Sequence, residues 1–225
     1  VILKNFLSFN ERVQFDMFPN MKRTSLSNHI KVLVDRLPVL KMAAIYGSNG
    51  AGKSNLLKGI NFLKAVATNK NFLDREHLEK YIFALKENTG TMPIELVIEF
   101  VTQSGVPFIY SVEIMNTGIT FETLQVSGLG SEENQNIFTR KDGKIEYAVT
   151  PSDEVSNMVL GWIEKNPFAS LLTINNDMPV LTDKNIGIAQ KWFEDELTII
   201  GLHSFNPALI GIFKNDKEIN QFASE

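Results

Sequence analysis

The sequence predicts a mixed α/β (α+β) fold in which a phosphate-binding loop opens a helix, an antiparallel sheet is added, and further helices follow. Three observations support this prediction. A glycine-rich octapeptide at residues 47–54 lies between a short apolar run and a segment with helical apolar spacing. Alternating segments joined by short turns fill residues 94–149. Helical patterns dominate after residue 152, so we divide the chain into a phosphate-binding lobe with a β subdomain (1–150) and a mainly helical segment (151–225).

The octapeptide GSNGAGKS fits the pattern G-x-x-x-x-G-K-[ST] at every fixed position. Lys53 is expected to place its ammonium between the β- and γ-phosphates of a nucleoside triphosphate as a catalytic residue, and Ser54 to offer its hydroxyl to Mg²⁺. Positive φ angles are expected at Gly47, Gly50 and Gly52, where the backbone approaches phosphate oxygens. The predicted nucleotide-binding residues are Gly47, Ser48, Asn49, Gly50, Ala51, Gly52, Lys53, Ser54 and Asn55.

Two elements precede this loop in the prediction. Residues 2–6 and 13–18 alternate in polarity around a polar turn and predict a hairpin. The mostly apolar residues 39–46 predict a strand that enters the loop. Behind the loop, helical spacing is carried by Leu56, Ile60, Leu63 and Ala67. We assign no element to residues 21–35 or 74–86.

The middle of the chain predicts five strands joined by short turns, at residues 94–101, 108–115, 119–126, 136–140 and 144–149. Such short turns require antiparallel neighbours, because parallel neighbours need a long crossover. Later segments predict helices at 153–165, 167–174 and 186–196 and a strand at 197–200. Ser152 and Asp183 are the expected caps of the first and last of these helices, and Trp162 and Trp192 are expected in the core.

Composition is that of a soluble globular protein, with 44% hydrophobic and 21% charged residues. No apolar run approaches the roughly 18 residues of a membrane span, and residues 1–4 show no signal-peptide pattern. The absence of cysteine excludes disulfides and thiolate metal sites. We therefore expect a cytoplasmic protein with no membrane partner.

Charge is distributed unevenly along the chain. Residues 1–60 contain nine Lys or Arg against three Asp or Glu, although the net charge of the whole chain is −4. A basic N-terminal third suits an anionic ligand and makes DNA a candidate partner, with scattered solvated lysines as the alternative. No cluster of basic residues with interleaved aromatics is visible in the sequence.

Two sequence features resemble the ATPase heads of the RecF, SMC and OLD group, a branch of the ABC-type ATPases. The loop continues as N-G-A-G-K-S-N, and residues 2–9, ILKNFLSF, are similar to the opening I-x-N-F-x-S-F segment of those heads. The likeness is greatest to stand-alone bacterial AAA/ABC ATP-binding proteins of phage-defence, abortive-infection systems. The resemblance implies ATP and Mg²⁺ as cofactors and a second head, in a dimer or higher oligomer, as partner. An effector protein such as a nuclease is a further implied partner.

Several parts of such a head are missing from the sequence. Leu7 stands where many heads carry a basic residue, and only His203 or Asn206 could replace the usual glutamine. No apolar strand ends in an Asp-Glu pair; residues 178–183 come nearest, but Pro179 would disrupt a central strand. Residues 127–130, SGLG, match the signature loop in letters but are interpreted as a turn. We expect the chain to be the N-terminal lobe of a longer ATPase.

The sequence therefore predicts an ATP-binding head that dimerises under ATP control and hydrolyses ATP when complete, in anti-phage defence or DNA repair. A nucleotide-sensing scaffold without hydrolysis is the alternative. A small-molecule kinase fits less well, because such kinases have a compact parallel fold. A GTPase is weaker still, because the guanine-reading Asn-Lys-x-Asp motif is absent.

Overall fold

A seven-stranded antiparallel sheet organises the fold in this computed structural model, which describes residues 1–20, 22, 27–33, 37–87, 89–148 and 153–200. The strands are β1 (Ile2–Lys4), β2 (Val13–Gln14), β3 (Ile30–Val32), β4 (Pro38–Leu40), β5 (Ile94–Val101), β6 (Pro107–Met115), β7 (Gly118–Val126), β8 (Gln135–Lys141) and β9 (Lys144–Ala148). The large sheet has the order β2-β1-β5-β6-β7-β8-β9, and β3 pairs with β4 in a separate sheet.

The predicted antiparallel middle is confirmed, since β5 to β9 form consecutive hairpins. The opening hairpin is also present, with Ile2 opposite Gln14, although β2 has only two residues. β1 then pairs with β5, placing Leu3 opposite Leu96. Side chains alternate between a fully buried face, which includes Leu96, and a partly exposed face.

The helices are α1 (Lys53–Thr68), α2 (Arg75–Leu78), α3 (Glu154–Glu164), α4 (Leu171–Asp177) and α5 (Lys184–Lys191), which continues as a π-helical turn, Trp192–Glu196. Asp183 caps α5 as predicted, by accepting a hydrogen bond from Asn185 N. Asp153 caps α3, while Ser152 lies outside the described residues. None of the described helices is long and apolar enough to cross a bilayer.

Two predictions in the C-terminal part are wrong. Residues 197–200 form no strand, because no described strand pairs with them and Leu197 N instead bonds to Trp192 O, closing the helix. Trp162 is 44% exposed on α3 rather than in the core. Trp192 does pack against the core, with its ring stacked on Phe100 at 3.9 Å between centroids.

Helix α1 packs on the buried face of the sheet through a glycine. A Cβ at Gly59 would lie 2.7 Å from Cδ2 of the fully buried Leu3, so this contact between α1 and β1 requires the absence of a side chain. Because α1 begins at the glycine-rich octapeptide, this packing fixes the direction in which the loop faces.

A buried polar cluster joins the sheet to the later helices. Glu122 on β7 accepts hydrogen bonds from Leu171 N, at the start of α4, and from the Tyr110 hydroxyl at 2.9 Å. Opposite it in register, Arg140 donates to the carbonyl oxygens of Ala169, Ile163 and Asn166.

Burial raises the pKa of the Glu122 carboxyl, a shift that the Arg140 charge opposes. Burial likewise lowers the pKa of Arg140, although the charge of Glu122 counteracts this. The hydroxyl of Ser170 donates to Val66 O, so the same region is bonded to α1. Sheet, α4 and α1 are therefore connected by buried hydrogen bonds.

Candidate functional site

The octapeptide forms a loop whose last glycine is the N-cap of α1. Gly50 and Gly52 have φ angles of +83° and +87°, as expected, whereas Gly47 does not adopt a positive φ. The carbonyl oxygen of Gly47 instead accepts a hydrogen bond from Lys53 Nζ. No side chain caps α1, and because Asn55 N already donates to Gly52 O, the N–H groups of Lys53 and Ser54 are the ones available to an anion. Together with the first turn of α1, the loop lines a cavity of about 250 Å³, at residues 49–55.

Lys53 lies at the first position of α1 and bends back over the loop. Its Nζ donates hydrogen bonds of 2.7 Å to the carbonyl oxygens of Gly47 and Ser48. An ammonium group has three N–H donors, so one remains for an acceptor in the cavity. The loop thus orients the lysine, while the exposed Ser54 follows it in the same turn.

The opening segment forms one wall of this loop. The Ser8 hydroxyl accepts a hydrogen bond from Asn55 Nδ2 at 3.0 Å. A Cβ at Gly52 would lie 2.6 Å from Ser8 Oγ and 3.5 Å from the Phe9 ring, so the two segments are in close contact. The I-x-N-F-x-S-F likeness identified this segment, but the sequence alone did not place Ser8 on the loop.

Asn5 anchors that wall from inside the protein. It is fully buried at φ +51°, a conformation that asparagine tolerates better than most residues. Its Nδ2 donates 2.9 Å hydrogen bonds to the carbonyl oxygens of Thr89 and Met92, which lie in the segment just before β5. Leu7, also at positive φ, donates its N–H to Tyr81 O.

The strand predicted at residues 39–46 is wrong beyond its first two residues. β4 ends at Leu40, and residues 41–50 are all exposed, with Tyr46 90% accessible. A strand needs a hydrogen-bonded neighbour, and none of the described segments pairs with residues 42–46. The loop is therefore attached to the rest of the protein through α1 and the opening segment.

No carboxylate lines the loop cavity within the described part of the chain. Residues 178–183 are irregular, and their Asp183 serves as a helix cap. Residues 127–130 follow β7 as a turn, as predicted. No described group of three or more His, Asp or Glu could hold a metal ion. His203 and Asn206 lie outside the described residues.

A family model described as "AAA domain, putative AbiEii toxin, Type IV TA system" matches residues 42–154, half of the chain. The matched region contains the octapeptide, α1 and the five-stranded meander β5 to β9. No curated protein and no solved structure matches the chain.

Proposed function

The chain belongs to this family of AAA domains, and on that premise we propose that it binds Mg²⁺-ATP at the loop of residues 47–55. The observation that carries the proposal is the uncapped N-terminus of α1 beside Lys53, whose ammonium is held by two loop carbonyls with one donor remaining. Backbone N–H groups and a cation converge there, as an anion requires.

The residues present suit both parts of the ligand. Gly50 and Gly52 hold the backbone in conformations that bring N–H groups toward phosphate oxygens. Ser54 offers an oxygen ligand to Mg²⁺, an ion that retains several waters and needs few protein ligands. When bound, Mg²⁺ neutralises phosphate charge, while Lys53 orients the phosphate chain and lowers its negative charge further.

The proposed mechanism is ATP-gated association of two heads, as the likeness to the RecF, SMC and OLD group implies. No described carboxylate lines the cavity, so we propose that hydrolysis requires residues supplied from elsewhere, including a second head. An increase in native mass on adding Mg²⁺-ATP, measured by light scattering, is the expected result; an unchanged mass contradicts gating.

The same lack of a carboxylate favours a second candidate, a nucleotide-sensing scaffold that binds ATP without hydrolysis. Phosphate release from Mg²⁺-ATP by a longer chain that also carries an Asp-Glu strand and a signature loop separates the two, since a sensor releases none. The family description names an abortive-infection toxin, and we propose anti-phage defence as the biological setting, with DNA repair as the alternative. DNA and an effector such as a nuclease are the proposed partners, in the cytoplasm.

Lys53→Ala tests the nucleotide site directly. It should abolish Mg²⁺-ATP binding in calorimetry while circular dichroism shows an intact fold. Lys144→Ala, which removes another exposed lysine from β9, is the matched control and should bind normally. Undiminished affinity in Lys53→Ala would contradict the proposal.

A further inference from the structure

A second cavity lies beside α1, next to the phosphate loop. It has a volume of about 380 Å³ and is lined by Leu7, Lys58, Asn61, Phe62, Phe72, Lys80 and Tyr81. Three of these residues are aromatic. The Phe62 ring lies 4.7 Å from that of Tyr81 and 5.0 Å from that of Phe72, between centroids, so the rings form one cluster in which Phe62 is buried and Phe72 and Tyr81 are partly exposed.

The polar groups of this cavity are cationic or amide groups. Lys58, Asn61 and Lys80 are exposed, and their side chains form no hydrogen bond or ion pair with any described residue. No carboxylate is among the lining residues. Lys58 and Lys80, which are far apart in the sequence, thus both lie beside these aromatic rings.

The cavity continues from the phosphate loop along α1. Lys58 lies one turn after Asn55, a rise of about 4.5 Å along the helix. Leu7, which lines the cavity, directly precedes Ser8, the partner of Asn55. The Ser8–Asn55 hydrogen bond therefore lies at the border between the two cavities.

We propose that this cavity, between Tyr81, Asn61 and Lys58, is the subsite for the base and ribose of the nucleotide, with a preference for adenine. The inference rests on the proposed function, because it concerns the same ligand. Aromatic rings provide stacking surfaces for a base. An asparagine amide presents a donor and an acceptor together, which match the N7 and N6–H₂ groups of adenine, whereas the corresponding edge of guanine offers two acceptors, N7 and O6.

Calorimetry with two probes separates the nucleoside part of the site from its phosphate part. The full chain is titrated with Mg²⁺-ATP and with Mg²⁺-tripolyphosphate, which has no base or ribose. Asn61→Leu and Tyr81→Leu should each weaken ATP binding roughly tenfold and leave tripolyphosphate binding within about twofold. Asn61→Leu should also reduce the preference for ATP over GTP.

Asn157→Leu on α3, which removes another exposed asparagine, is the control and should bind both probes normally. If Asn61→Leu and Tyr81→Leu retain full ATP affinity while Lys53→Ala loses it, the inference is overturned and the proposed function stands. If the unmodified chain binds neither probe, the proposed function itself fails. Weakened binding of oligo(dT) by these variants, with ATP binding unchanged, would instead assign the cavity to single-stranded nucleic acid and overturn the inference.

Discussion

Replacing Arg140 with methionine tests the buried polar cluster that joins the sheet to α4. The fully buried guanidinium donates three hydrogen bonds, of 2.8, 3.1 and 3.1 Å, to main-chain carbonyls. Charged hydrogen bonds contribute about 1.5–3 kcal/mol each, but the desolvation of the guanidinium offsets much of their sum. Because the substitution also leaves the buried Glu122 without its nearby cation, we expect a loss of about 3–5 kcal/mol in the free energy of unfolding.

The size of this loss should depend on pH. Burial already raises the pKa of Glu122, and removing the opposing Arg140 charge raises it further. At pH values between its unfolded and folded pKa, such a carboxyl is protonated in the folded chain and ionised in the unfolded chain. Stability therefore falls as pH rises through that window, and the deficit should be larger near pH 8 than near pH 5.

Urea unfolding followed by circular dichroism at both pH values measures the effect. Arg12→Met is the control, because Arg12 is exposed and its contact with Glu95 spans 3.6 Å; its loss should stay below about 1 kcal/mol. An Arg140→Met deficit below about 1 kcal/mol, or one that is equal at both pH values, would refute the reasoning.

Two further predictions concern helix packing and capping. Gly59→Ala should lower the melting temperature, because overpacking against the buried Leu3 costs about 1–3 kcal/mol, more than the roughly 1 kcal/mol gained in helix propensity. Gly161→Ala on α3, where a Cβ meets open space, should raise the melting temperature; the opposite order would contradict the packing argument. Asp153→Ala should destabilise the protein at neutral pH, because it removes the carboxylate that accepts a hydrogen bond from Ser156 N. The difference in stability should vanish as pH falls through the lowered pKa of Asp153, where the cap is protonated in the parent chain. Urea unfolding midpoints at neutral and acidic pH measure this, and a deficit that persists in acid is evidence against the cap.

The sequence predicted the meander closely because each of its strands carries its own evidence. In β5 and β6 the side chains alternate between buried and partly exposed, and short turns such as residues 102–106 dictate antiparallel pairing. The octapeptide and helix α1 were predictable for the same local reason. Binding at residues 47–55 remains a prediction, as does the division into residues 1–150 and 151–225.

The rest depended on which segments meet in space. Residues 42–46 have the composition of a strand, but pairing requires a neighbour, which composition cannot reveal. The exposed position of Trp162 depends on how α3 lies on the sheet. The aromatic cavity unites Leu7, Lys58 and Lys80, which are too far apart in sequence to suggest a common site.

The pairing of β1 with β5 has a consequence for the order of folding. Leu3 pairs with Leu96, and the segment between them contains the phosphate loop and α1. The meander from β5 to β9 closes only short loops, whereas docking of β1 closes a long one and should come later. We therefore expect the segment of residues 5–9, which carries Ser8 against the phosphate loop, to form late and to open early. A ligand held at the loop would therefore slow amide exchange in β1 more than in β6.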